Sequence, residues 1–295
     1  MSQKIGLIGV GLMGHGIASN LLKHGHALAV LEHPGNQPLA TLKAAGATTR
    51  SSARALAGDA DVVILCVTGS PQVEAVLLGA DGVLAGLRSG TVVIDCSTAI
   101  PQSTERMAQA VHAAGGRFLD APMTRTPKEA AEGRLNLLVG GDGALFDECR
   151  PLLACFAEHI THVGPVGAGH RMKLLHNYVS LGFIALLSEA AACAQRGGVT
   201  AAAFVDVLAK GGGGSVALER LKPYLLQRDT SSLRFAMANA HKDLGYYQAM
   251  ASGDGAATEI ADAVLRTYAR GTSEGGPDAL AIELAALLAA GAPPR

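Results

Sequence analysis

The stretch GLIGVGLMGHG sets glycines at positions 6, 9, 11, 14 and 16, between a short apolar run, Ile5 to Ile8, and a helix-compatible run, HGIASNLLKHG. Glycines so placed stand where a strand turns into a helix. Gly9, Gly11 and Gly14 have the spacing G-x-G-x-x-G. Gly9 permits a tight turn, Gly11 lets a ligand approach the backbone without meeting a Cβ, and Gly14 lets the new helix pack closely on its strand. Glycine makes up 37 of the 295 residues, so the spacing carries weight only with its surroundings.

Those surroundings point to a dinucleotide. The helix that follows, with Leu12 and Met13 in its first turn, offers unpaired N–H groups to phosphates. A second apolar run, ALAVLE, ends in Glu32, 18 residues beyond Gly14, where a strand-end carboxylate accepts hydrogen bonds from an adenosine ribose diol. A 2′-phosphate there would meet like charge, and the segment EHPGNQP has no arginine or lysine to offset it. NAD is therefore expected rather than NADP.

Up to about residue 164, apolar runs recur between helical stretches: ALAVLE, DVVILCV, TVVIDCS, GRFLDAP, RLNLLVGG and HITHVG. This alternation predicts an α/β, Rossmann-type, doubly wound parallel sheet as a dinucleotide-binding domain over residues 1–164. Several runs are apolar throughout, as strands covered on both faces are. From there the texture changes. HRMKLLHNYVSLGFIALLSEAAACAQR runs 27 residues without proline and stops at Gly197-Gly198, which predicts a long helix over about 169–196. Its middle is apolar nearly all round, so burial is expected, in part against another copy of itself. An all-α domain over residues 165–295 is expected to serve substrate binding and oligomerisation, as a homodimer or homotetramer. KGGGGS, residues 210–215, separates two of its helices, and GAPPR reads as a frayed tail.

A composition of 49% hydrophobic and 17% charged residues is that of a globular chain, and a net charge of −1 gives no long-range attraction to nucleic acid or an anionic membrane. An anionic ligand must then be met by locally placed cations. The five cysteines form no C-x-x-C pair and read as core thiols, and no His, Cys and carboxylate cluster has metal-ligand spacing. The first strand begins too early for a signal peptide, and Glu189 and Glu283 interrupt the most apolar stretches. A cytoplasmic protein is expected, with no metal, nucleic acid or membrane partner.

On the long helix, Lys173 and Asn177 are four residues apart and share a face, with His170 one turn earlier. They follow VGPVGAG, a hinge between the halves, where a cleft is expected. A lysine in that setting is a candidate acid and base, or else a lysine that snorkels to solvent.

GLIGVGLMGHGIASNLLKHG, DCSTAIPQST, DAPMTRTPKEAAEGRLNLLVGG, GAGHRMKLLHN and AHKDLGYY occur in one order across nearly the whole chain. In this the sequence resembles the β-hydroxyacid dehydrogenases, among them 3-hydroxyisobutyrate dehydrogenase, tartronate semialdehyde reductase and sulfolactaldehyde reductase. The resemblance implies that Lys173 is the catalytic lysine, that Asn177 helps hold the substrate, and that Lys242 reaches the cofactor. It also implies that Val67, Thr68 and Thr98 line the nicotinamide and its ribose. Thr98 also fits a helix N-cap.

The departure lies in DAPMTRTP. Family members commonly read Asp-Ala-Pro-Val-Ser-Gly-Gly here, where this chain has Thr124, Arg125 and Thr126, exchanging a backbone anion nest for a side-chain cation. Sulfolactaldehyde reductase has a similar Arg-Thr pair. An arginine fork suits a carboxylate or a sulfonate, so a small anionic hydroxyacid or semialdehyde is the expected substrate. His176 stands where a second asparagine is common, and is expected beside the site or in the core. The alternatives are an NAD-binding interaction module with a dead site, an imine reductase, and a decarboxylating dehydrogenase of the 6-phosphogluconate type. Retention of Lys173 argues against the first two, and the short helical half against the third.

Overall fold

The structure is a computed structural model that describes residues 3–291. GAPPR, expected as a tail, lies outside them except for Gly291. The first half runs β1 (Lys4–Ile8), α1 (Leu12–Lys23), β2 (Ala27–Leu31), α2 (Ala40–Ala44), β3 (Thr48–Arg50), α3 (Ala53–Asp59), β4 (Val62–Leu65), α4 (Ser70–Leu78) and α5 (Val83–Gly86). It continues with β5 (Val92–Asp95), α6 (Pro101–Ala113), β6 (Arg117–Asp120), β7 (Met123–Thr124), α7 (Pro127–Glu132), β8 (Leu135–Gly141), α8 (Gly143–Leu153) and β9 (Ala157–Gly164). The second half is helical: α9 (Ala168–Arg196), α10 (Ala201–Lys210), α11 (Val216–Gln227), α12 (Met237–Gly253), α13 (Glu259–Gly275), a 3₁₀ turn (Ala281–Glu283) and α14 (Leu284–Ala290).

Strands β1 to β6 are parallel in the spatial order β3-β2-β1-β4-β5-β6. That order reverses direction between β1 and β4, the point where a doubly wound sheet opens a crevice beyond its strand ends. The sheet is not parallel throughout. β8 runs antiparallel to β6 and β7, and β9 then runs parallel to β8. The chain makes this reversal through β7, a two-residue strand that pairs Met123 with Leu137 and Thr124 with Asn136. An apolar strand such as β8 has the same composition in either direction, so its sequence does not record the reversal.

Side-chain alternation divides the sheet between two cores. Ile5, Leu7, Ile64 and Ile94 pack on one face with Ile17 and Leu21 of α1, while Ile8, Val63, Leu65 and Val93 pack on the other with Leu56, Leu77 and Val111. Successive residues face opposite ways, so strands covered on both sides are apolar at every position. Ser52, Asp142, Thr200 and Ser215 each accept a first-turn N–H at the start of α3, α8, α10 and α11.

The chain divides into two compact units, the first through Lys173 and the second from Leu174. In the second, Leu181, Leu244 and Tyr268 anchor one apolar cluster, and Ile184, Leu187, Leu218 and Leu221 another. KGGGGS separates α10 from α11 as expected. α9 is long and apolar enough to cross a membrane by length and composition, yet its inward residues Leu181, Ile184 and Leu187 belong to these clusters. It is also less buried than its composition suggests: Val179, Phe183 and Leu186 are 52%, 48% and 67% exposed in the single chain. The thiols depart from expectation at one place, because Cys193 is exposed.

Candidate active site

In the first unit the site is built at the carboxyl ends of β1, β4 and β5. Gly9, just past β1, has φ +96°, and a Cβ there would lie 2.2 Å from the Cys66 carbonyl oxygen. A Cβ on Gly14 would lie 2.0 Å from the Gly9 carbonyl oxygen. Both positions are glycine for the protein's own packing. Gly11 differs: a Cβ there would meet nothing within 4 Å. The protein leaves this space open over the start of α1, where Gly11 is the N-cap and no side chain caps the helix. Leu12 and Met13 form the first turn, with Leu12 exposed. An open cradle at an uncapped helix N-terminus fits a pyrophosphate.

Asn36 braces this loop. Its Oδ1 accepts from the Val10 N–H at 3.3 Å and its Nδ2 donates to the Leu31 carbonyl at 2.9 Å. Glu32 follows β2 and is exposed, but it has a cation beside it. Lys43 Nζ lies 3.2 Å from Glu32 Oε1, and this contact, with the Thr49 hydroxyl, holds the carboxyl below the usual carboxylate range. The segment next to Glu32 has no cation, as the sequence shows, and α2 supplies one from eleven residues away.

Val67 and Thr68 follow β4, and Thr98 follows β5. Thr98 is not a helix N-cap: α6 starts later, with Ile100 as its N-cap and Pro101 in its first position. The Thr98 segment is held from within. Ser97 Oγ accepts from the Val67 N–H at 3.0 Å, and the Ser97 N–H donates to Asp95 Oδ1 at 2.9 Å.

The loop with Thr124, Arg125 and Thr126 lies beside α1. Asn20 of α1, buried, donates from Nδ2 to the Ala130 carbonyl of α7 at 2.9 Å, and a Cβ on Gly16 would come within 2.5 Å of the Ala130 backbone. Thr126 is the N-cap of α7 in a capping box with Glu129. Thr124 is a strand residue and buried. Arg125 has φ +81°, a left-handed conformation that favours glycine. Its Nη1 donates to the Glu158 carboxylate and to the Arg134 carbonyl, while the Nε and Nη2 edge makes no hydrogen bond among the described residues.

Behind these loops lies a buried polar group. Asp120, at the end of β6, accepts the Gly167 N–H at 2.8 Å and the His170 N–H at 2.9 Å, and so caps α9 from a neighbouring strand. His170 Nε2 donates to the Ser97 carbonyl at 3.2 Å, and Nδ1 meets Thr104 Oγ1 at 2.7 Å. Asp95, His170 and Asp120 are all fully buried. Burial pushes the Asp95 carboxyl up from its ordinary value, against the nearby His170 ring. Lys173, half-buried, ends this unit, three residues after His170. The two aspartates were legible as a signal, since each follows directly on buried apolar residues at a strand end, in VVID and RFLD.

In the second unit Asn177 is buried, and its Nδ2 donates to Asp243 Oδ2 at 2.7 Å. Lys242 Nζ forms an ion pair with Asp243 Oδ1 at 2.8 Å and lies 4.9 Å from the Tyr246 ring. Asp243 thus brings Asn177 and Lys242 together. His176 is exposed rather than in the core, with Nδ1 3.1 Å from Asn177 Oδ1.

A sheet that switches direction above an open glycine cradle, followed by an all-helical unit, defines a nicotinamide-dinucleotide oxidoreductase of the Rossmann type. Residues 4–164 match the NAD binding domain of 6-phosphogluconate dehydrogenase, and residues 167–288 match the NAD-binding family of NADP-dependent 3-hydroxyisobutyrate dehydrogenase. The chain is 34% identical over 273 residues to NAD-dependent L-serine dehydrogenase of Pseudomonas aeruginosa, covering 90% of this chain and 91% of that one. It is 33% identical over 248 residues to 2-(hydroxymethyl)glutarate dehydrogenase of Eubacterium barkeri, covering 83% and 81%. The structure of Mycobacterium tuberculosis 3-hydroxyisobutyrate dehydrogenase with L-serine superposes with a TM-score of 0.87 at 26% identity, covering 98% of this chain and 99% of that one. The protein belongs to the β-hydroxyacid dehydrogenase family, and its cofactor is a nicotinamide adenine dinucleotide.

Proposed function

We propose that the protein transfers hydride reversibly between NAD(H) and a short β-hydroxyacid or its semialdehyde bearing a carboxylate or sulfonate, with Lys173 as the general acid and base. The observation that carries this reading is the placement of Lys173 on the first turns of a helix anchored by Asp120, within the unit that holds the glycine cradle. When bound, the dinucleotide supplies or accepts the hydride. In reduction, protonated Lys173 gives an Nζ proton to the alkoxide oxygen that develops at the carbonyl; in oxidation, neutral Lys173 takes the hydroxyl proton. Asn177, its amide oriented by Asp243, holds the reacting oxygen. Thr124, Thr126 and the unspent edge of Arg125 hold the distal acid.

In the cofactor's keeping, Gly9, Gly11, Leu12, Met13 and Gly14 take the pyrophosphate and Glu32 the ribose diol. Val67, Thr68, Thr98 and Lys242 serve the nicotinamide end. NAD is preferred to NADP, the helical half also joins copies of the chain into a dimer or tetramer, and the protein works in the cytoplasm. L-Serine, named for two relatives, is itself a short β-hydroxyacid and a first substrate to try.

Lys173→Ala tests the central role. Turnover is expected to fall by roughly 10²–10⁴-fold while the NADH dissociation constant, read by fluorescence titration, stays nearly unchanged. A variant within about threefold of the parent kcat rejects it.

A further inference from the structure

The reaction as proposed needs two groups held in register: Thr98, beside the nicotinamide, and Lys173, at the proton. They belong to segments 75 residues apart, one trailing β5 and the other in α9. What joins them is His170. Its backbone N–H donates to Asp120, which fixes the first turn of α9 to the end of β6. Its ring then reaches back to the loop after β5, donating from Nε2 at 3.2 Å to the carbonyl of Ser97, the residue before Thr98, and meeting Thr104 Oγ1 of α6 at 2.7 Å. Ser97 in turn receives the Val67 N–H on its Oγ. One chain of hydrogen bonds therefore runs from Val67 through Ser97 and His170 into the helix that carries Lys173.

The surroundings leave this helix start little freedom. A Cβ on Gly169 would stand 2.4 Å from the Leu138 carbonyl oxygen and 2.7 Å from Asp120 Oδ2, and one on Gly140 would stand 2.6 Å from Asp120 Oδ1. The first turn rests directly on the strand ends. His170, Asp95 and Asp120 have no solvent exposure, and Asp95 Oδ2 and Asp120 Oδ2 lie 3.9 Å and 3.8 Å from the ring nitrogens, so the ring is enclosed on both sides by acceptors. A solvent-exposed or merely space-filling residue would not need partners on three separate elements.

We propose that His170 is a positioning residue that clamps the Ser97-Thr98 segment to the first turn of α9 and so fixes the separation of Thr98 and Lys173 during hydride and proton transfer. The proposal rests on the reading of Lys173 as acid and base. Displacement of a reacting group by about 1 Å can cost on the order of 10²-fold in rate.

The experiment compares His170→Ala and His170→Gln in the full-length protein, with Lys173→Ala measured alongside. The readouts are kcat, KM, the NADH dissociation constant and the isotope effect with NADH deuterated at C4 on either face. His170→Ala is expected to lower kcat by about 10–100-fold with NADH affinity within about twofold, and to raise the isotope effect as transfer becomes limiting. A glutamine amide keeps a donor for the Ser97 carbonyl, and His170→Gln is expected to recover about tenfold of the loss. Should His170→Ala fail to fold, Thr104→Val releases the other side of the ring and is read by the same criteria. An unchanged kcat overturns the clamp, and so does an equal loss in kcat and NADH affinity, which would make His170 a support of the cofactor unit alone. If Lys173→Ala stays active, the acid and base reading fails whatever His170 does; if Lys173→Ala is inactive and His170→Ala is normal, only the clamp fails.

Discussion

At Glu32 the sequence shows a carboxylate with no cation near it, and the structure adds Lys43 at 3.2 Å. The pair bears on cofactor choice in two ways. In the proposed ribose site Glu32 would repel a 2′-phosphate, and Lys43 would attract one once the carboxylate is gone. Glu32→Ala is expected to raise kcat/KM for NADP by about tenfold, a contact at the weak end because both groups are exposed. Glu32→Ala combined with Lys43→Ala should give back most of that gain. Equal or better use of NADP by the parent protein overturns the preference for NAD. Arg125 poses a second question of the same kind, since Glu158 already occupies its Nη1. If the remaining edge reads the substrate acid, Arg125→Gly should lower kcat/KM for carboxylate and sulfonate substrates by roughly 10–100-fold and leave neutral aldehydes of similar size nearly unaffected. Glycine is the suitable replacement because φ is +81°, so the loop keeps its conformation without strain. Arg125→Lys should recover part of the loss. An equal fall for both substrate types would mean that the arginine and Glu158 only hold the loop.

Elements were legible in proportion to their length and their pattern. The six apolar runs of the first half are strands, and the proline-free run is α9. β3 and β7, at three and two residues, are too short to show alternation, and they exist because a neighbouring strand offers them partners. α9 shows what composition leaves open. Its 29 residues span about 43 Å, and it is apolar around most of its circumference, but in one chain Val179, Phe183 and Leu186 form an exposed stripe at helical spacing. This stripe is the expected contact between copies. Phe183→Glu with Leu186→Glu should shift the sedimenting species to a smaller assembly at micromolar concentration, because burying either side chain contributes about 1.5–3 kcal/mol and a buried unpaired carboxylate opposes association. A parent protein that sediments as a single chain would remove this role from the stripe.

For the molecule as a whole, the order of a dinucleotide unit before a helical one was visible in the change of texture after residue 164. The motif segments lie on the loops that follow β1, β5 and β6 and on α9 and α12. What stayed hidden were partnerships across long separations: Asp120 with the start of α9, His170 with Ser97, Arg125 with Glu158, Asn177 with Asp243. Each joins groups 33 to 73 residues apart, and no periodicity in the chain connects them. The first of these also decides where such a protein can be recombined with a relative. The matched family segments meet at residues 164–167, which invites a crossover in that loop. The contacts lie elsewhere: Gly167, Gly169 and His170 rest on Asp120 and Leu138, and the compact unit ends at Lys173. A hybrid joined in the loop gives those strand ends a foreign first turn at a place where one added methyl group does not fit. A hybrid spliced inside α9, between Lys173 and Leu174, keeps every one of those bonds, and it is the one expected to accumulate as folded protein.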